Sequence, residues 1–217
     1  MYNDIQQYWH ELTLTMHEMP FKTLNKLAEI LLECQKRDNT IYLLGNGGSA
    51  ATASHFACDL AKGTRIRERP AFRVIALNES VPLMTAWAND TAYERIFAEQ
   101  LSALVRPNDV VLLISVSGNS PNILAAARTA RQAGAFVVAL TGQSGGRLAS
   151  IADLAVCVPA QSVEQAEDAH LIIAHSLCVF LRQLLHREAA LLEVKQVLSG
   201  QRLTECSGSV ISSSDQM

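Results

Sequence analysis

The chain has 217 residues, of which 49% are hydrophobic but only 6% aromatic, and a formal net charge of −3. That length and composition suit one α/β domain with an extra helix or two, its core built from Leu, Val, Ile and Ala. The charge offers no basic surface for a nucleic-acid backbone, and neither an export signal nor an uninterrupted apolar stretch long enough to span a bilayer is present, so a cytoplasmic protein without nucleic-acid or membrane partners is expected.

In chain order, residues 1–38 show apolar positions at helical spacing, including Leu24, Leu27, Ile30 and Leu31, with Pro20 as a break between two helices. This predicts an N-terminal helical hairpin. Five short β-rich runs follow, Thr40 to Leu44, Phe72 to Leu77, Val110 to Ile114, Ala135 to Leu140 and Leu154 to Val158, with helical stretches between them. Such alternation predicts a five-stranded, parallel, doubly wound sheet covered on both faces, a three-layer αβα domain over residues 39–195. A long helical pattern from about Val163 to Glu193 carries His170, His175 and His186, and the Ser-rich end, 196–217, reads as a disordered tail. Cys34, Cys58, Cys157, Cys178 and Cys206 are scattered without a CxxC pair and read as free thiols of a reducing compartment.

In an open parallel sheet, ligands bind beyond the carboxyl ends of the strands. Two strand-to-helix loops there are unusual. Gly45-Asn46-Gly47-Gly48-Ser49 follows the first strand and opens a helix, its glycines permitting close backbone approach and Ser49 offering a hydroxyl beside free helical N–H groups. Ser115-Val116-Ser117-Gly118-Asn119-Ser120 follows the third strand, with Pro121 placed in the first turn of the next helix. Three hydroxyls, a glycine and a helix N-terminus make an anion pocket without Lys or Arg, suited to a phosphate monoester. Neither loop matches GxxxxGK[ST] or GxGxxG, so no nucleotide cofactor is expected. Each loop taken alone also reads as an ordinary helix cap and tight turn.

Gly45 to Ala50 followed by His55-Phe56-Ala57, then Asn89-Asp90, Ser115 to Ser120 and Leu140-Thr141-Gly142, resembles the phosphoheptose isomerase branch of the SIS (sugar isomerase) family, whose fold is flavodoxin-like. The resemblance runs to about residue 190. It implies an aldose–ketose isomerase converting sedoheptulose 7-phosphate to a heptose 7-phosphate, usually a homotetramer with active sites between subunits. The leftover apolar face expected from the Leu24, Leu27, Ile30 and Leu31 stripe points the same way.

Residue by residue, the resemblance makes Ser49, Ser115, Ser117 and Ser120 phosphate ligands and puts Asn46 and Asp90 near the sugar, with Gly47 in the phosphate loop. His55 and Asp59, four apart, share one helix face. The family has Glu at position 59 as base and, in some members, zinc ligand. Here the carboxylate is one methylene shorter. His175 matches the family's catalytic histidine, Glu167 stands where Gln is usual, Gln165 where Arg often occurs, and Val116 where Thr is common. Helical periodicity puts Glu164, Glu167 and His175 on one arc facing a shared cleft. His55, Asp59, Glu167 and His175 form a candidate ligand set for one zinc or another divalent ion, with Asp59 as carbon base and His175 as oxygen-side acid/base. His10, His17, His170 and His186 read as packing or surface residues, and Asp168 as part of an acidic helix start. The rival reading is a SIS sensor or adaptor, of the replication-initiator-associated kind, that binds without turnover. An isomerase for a different phosphorylated sugar is a second rival.

Overall fold

Each of the five apolar runs forms a strand of one parallel sheet in a computed structural model that describes residues 4–67 and 69–207. The strands are β1 (Thr40–Gly45), β2 (Arg73–Ala76), β3 (Val110–Ile114), β4 (Phe136–Thr141) and β5 (Leu154–Cys157), in the order β2-β1-β3-β4-β5. Tyr42 stands beside Val111 and Leu43 beside Leu112, and β3 continues in register with β4, Leu112 beside Val138.

Period-two alternation splits the core into two layers. Ile41, Leu43, Val110, Leu112, Ile114, Val138 and Leu140 face α2 (Phe21–Lys36), α3 (Gly48–Cys58) and α8 (Val163–Ser207). Tyr42, Leu44, Val111, Leu113, Val137 and Ala139 face α5 (Ile96–Leu104), α6 (Pro121–Gln132) and α7 (Gly146–Ile151). Helices α1 (Ile5–His17) and α4 (Val81–Asp90) are the remaining α-helices among the described residues. At the foot of the sheet Asp109, 3% exposed, accepts the Thr40 N–H and the Arg106 N–H, both at 2.8 Å.

Two expectations change. Leu24, Leu27 and Leu31 are buried in the chain's own core, because a long α8 packs beside α2, so their stripe is not spare surface. The apolar surface left over includes Ile172, Val179 and Phe180 of α8, each over 40% exposed. The helix also continues past residue 195 to Ser207, with Gln196, Leu198, Gln201, Arg202, Leu203 and Glu205 favouring helix, rather than giving way to a tail. Residues 208–217 lie outside the described residues.

The Val163–Leu192 part of α8 is long and apolar enough to cross a membrane by length and composition. One face of it has a partner here: Ala166, Ala169, Ile173, Ala174, Leu177 and Leu181 are buried against the sheet and its helices.

Candidate functional site

The strand order reverses direction between β1 and β3, and a crevice at that switch point is where open α/β sheets bind ligands. Both unusual loops lie there. Asn46, Ser49, Ser115, Val116, Ser117, Ser120, Val163 and Glu167 are among the residues lining a cavity of about 300 Å³. Ser49 and Ser115 are 5% exposed. Ser120 is the N-cap of α6 but makes no capping hydrogen bond with its side chain, which leaves its hydroxyl available to the cavity. Among the described residues no Lys or Arg lines the cavity, so hydroxyls and the N-termini of α3 and α6 are what it could offer an anion.

Neighbouring groups hold these loops in place. Gly47 caps α3 at φ 55°. Asn46 and Asn122 exchange two side-chain hydrogen bonds of 2.9 and 2.8 Å, and the Tyr93 hydroxyl donates to Asn46 Oδ1 at 3.2 Å. In the second loop the Asn119 N–H donates to Ser117 Oγ at 3.2 Å, and the Arg147 N–H donates to Asn119 Oδ1 at 3.1 Å. The Leu148 N–H reaches the Gly118 carbonyl at 2.9 Å. Gly118 is at φ 62° and lies so close to Gly145 that a Cβ there would run into its carbonyl oxygen.

Further along α3 and α8 a second group assembles. His55 Nε2 and His175 Nε2 are 2.8 Å apart, one donating and the other accepting. Asp59 Oδ2 is 3.4 Å from His55 Nε2 and 3.8 Å from His175 Nε2. One ligand atom from each of the three residues falls within 4.8 Å of the others. The helix passes into a π-helical turn, Asp59–Gly63, at this point, a feature often found at functional sites. The Arg182 guanidinium donates to the Gly63 carbonyl at 3.3 Å and ties that turn to α8.

The structure does not bring Glu167 to this group. Eight residues separate it from His175, about 12 Å of helix rise, and its carboxylate rests on Gly48, where a Cβ would run into it. Glu164 is exposed in the first turn of α8 and does not line the cavity. Asp90 is also exposed and outside the cavity lining, at the end of α4, where it accepts a 2.9 Å bond from Asn89. Asp168 accepts the Tyr8 hydroxyl, and Gln165, fully buried, donates to Glu11 Oε2 at 3.3 Å; both bonds fasten α1 to the start of α8.

His170, expected to be a bystander, is 0% exposed. Its Nε2 donates to the Thr141 carbonyl at 3.2 Å, while Nδ1 is buried without a partner. Burial pushes its pKa down to about 4, so the ring is neutral. Burial, and then the Asp59 carboxylate, raise the Cys178 thiol to about 12. The signal for His170 is present in the sequence: it continues the stripe Ala166, Ala169, Ile173, Ala174 at helical spacing. Asn122 and Tyr93 have no comparable sequence signature, since their role depends on reaching Asn46 from distant segments.

Known proteins resemble this chain in sequence and fold. A family model described as SIS domain matches residues 5–142. The phosphoheptose isomerase of Trichlorobacter lovleyi is 41% identical over 158 residues, 73% of this chain and 80% of that protein. That of Roseiflexus sp. is 41% identical over 162 residues, 75% of this chain and 82% of that protein. The structure of a phosphoheptose isomerase from Francisella tularensis is 32% identical, with a TM-score of 0.77 over 82% of this chain and 96% of that one. These likenesses show that the chain belongs to the phosphoheptose isomerase branch of the SIS-domain family.

Proposed function

We propose that the protein is an aldose–ketose isomerase of sugar phosphates whose substrate is sedoheptulose 7-phosphate. The observation that carries this reading is the acid/base group lying one substrate length from the anion cavity. From Ser49 to His55 is six residues and from Glu167 to His175 eight, which is about 9–12 Å at helical rise. In an extended seven-carbon ketose phosphate the carbonyl carbon is about 9 Å from phosphorus, at about 1.25 Å per bond. A triose phosphate, at about 4 Å on the same count, falls short.

With the phosphate held by Ser49, Ser115, Ser117 and Ser120, the carbonyl end reaches Asp59 and His175. The Asp59 carboxylate takes a proton from C1, and the C1–H electrons form the C1=C2 bond. The carbonyl oxygen on C2 takes a proton from His175 Nε2, giving an enediol. His175 then accepts the O1 proton as C1=O forms, and Asp59 returns its proton to C2. The 3.8 Å between Asp59 and His175 lets one pair of groups serve adjacent carbons.

Two imidazole nitrogens and a carboxylate oxygen at mutual reach suit zinc. His55, Asp59 and His175 are the residues that would hold it; an ion there would occupy the Nε2 and carboxylate atoms used in the metal-free steps above, and would supply Lewis-acid polarisation of the substrate carbonyl instead.

Side chains of His55 and His175 are 49% and 50% exposed, and Ile172, Val179 and Phe180 continue the open side of α8 as apolar surface. A homotetramer in which a second copy covers this face fits both observations. The free thiols Cys34, Cys58, Cys157 and Cys178 suit a cytoplasmic setting. An acid/base pair in reach favours the enzyme over a non-catalytic adaptor. The test is an NMR assay of ketose phosphates of three to seven carbons, with and without zinc. Conversion of the seven-carbon ketose is expected, and no conversion of any sugar would overturn the proposal.

A further inference from the structure

The anion cavity contains a negative charge of its own. Glu167 is among the residues lining it, together with Asn46, Ser49, Ser115, Ser117 and Ser120, and no Lys or Arg among the described residues joins them. Its carboxylate lies directly on Gly48, the first residue of α3, with both oxygens equally close to the position a Cβ would take. Among the described residues it makes no hydrogen bond or ion pair with a side chain. It therefore sits in the field of the α3 N-terminus, the same field that would hold a phosphate. Two anions cannot share that field without repulsion, which is strong at separations of a few ångströms in a partly enclosed site.

We propose that the Glu167 carboxylate is an internal anion at the phosphate seat, and that a sugar phosphate binds by displacing it. This rests on the cavity being the phosphate site. The displacement needs no movement of α8, because the bonds of the Glu167 side chain can carry its carboxylate off Gly48 by rotation alone. Position 167 thus sets the phosphate affinity of the whole protein. A neutral amide of the same shape keeps the packing on Gly48 and removes the competition.

The geometry also explains why this charge matters more than its neighbour. Asp168 is the next residue on α8, but its carboxylate is exposed and accepts the Tyr8 hydroxyl. Removing the charge there leaves the cavity unchanged.

The test uses the full chain and inorganic phosphate as the probe, with calorimetric titration at constant ionic strength and about pH 8. Glu167→Gln is expected to bind phosphate at least about tenfold more tightly than the unmodified protein. Glu167→Ala should shift in the same direction, which guards against an effect peculiar to one replacement. Asp168→Asn should match the unmodified protein, and Ser117→Ala with Ser120→Ala should bind more weakly. If the serine double variant weakens binding while Glu167→Gln leaves it unchanged or weaker, the seat stands and the internal anion is wrong. An equal gain in Asp168→Asn would reduce the effect to net charge and overturn the proposal. If none of the variants changes phosphate affinity, the phosphate reading of the cavity fails, and the displacement with it.

Discussion

Replacing His170 with glutamine tests whether a buried neutral imidazole governs the acid stability of this fold. In the folded chain the His170 pKa is held at about 4, against an ordinary 6.5, because the ring is buried. Protons therefore bind the unfolded chain in preference to the folded one. The group's contribution to stability is complete above about pH 6.5 and is lost as pH falls toward about 4, at up to about 1.4 kcal/mol per pH unit. Integrated from about pH 7.5 to about pH 5, the two pKa values give a loss of about 2 kcal/mol. In the His170→Gln variant the amide would still offer an N–H to the Thr141 carbonyl, which also keeps the Val158 N–H at 2.9 Å, but would not titrate. Urea unfolding followed by circular dichroism at the two pH values, at one protein concentration, gives the difference between His170→Gln and the unmodified chain. That difference should change by about 2 kcal/mol in favour of the variant on acidification. A difference that stays constant would show that His170 titrates normally and that its burial has been misjudged.

Asp59→Asn and His175→Ala should each lower turnover by at least about a thousandfold while phosphate affinity changes little, since neither lines the anion cavity; parallel NMR assay and phosphate titration would show a shared loss if this division of labour is wrong. Asp109→Ala leaves the Thr40 and Arg106 N–H groups without their acceptor and should cost about 2–4 kcal/mol in urea unfolding. A cost below about 1 kcal/mol would mean that solvent replaces the carboxylate freely. Light scattering at micromolar concentration should give a tetramer, and Val179→Asp with Phe180→Asp should shift it to smaller species; a monomer in the unmodified protein would contradict the covered α8 face.

The sheet is readable in the sequence because its strands are locally specified. Val110 to Ile114 is an apolar run bounded by polar residues, and the structure uses those same five residues as β3. The break at Pro20 likewise separates α1 from α2. The anion loops are legible because Ser, Gly and a following Pro have local conformational meaning. Glu167 is harder. Helical periodicity gives its angular position, but a shared arc is not a shared site when about 12 Å of rise separates it from His175 on a straight helix. The stripe on α2 misleads for a related reason: amphipathicity shows that a face is buried, but not whether its partner is the same chain. His170 lies in plain view within an apolar stripe, yet its bond to Thr141 joins residues 29 apart in sequence, which no local pattern encodes.

The contact between Gly118 and Gly145 has a consequence for how substrate preference can change. One rim of the anion cavity is built where two backbones touch, and Gly146 presses on Ser117 in the same place. A side chain introduced at any of these glycines would separate the loops before it altered what they recognise. Variation in that region is therefore closed to selection for new sugars. The opposite end, around His55, Asp59 and His175, is bounded by half-exposed side chains on two helices, where replacements cost little folding energy. A library for redirecting the enzyme toward other chain lengths should leave the glycine rim fixed and sample the α3 and α8 positions flanking that group, such as Ser54 and Ser176.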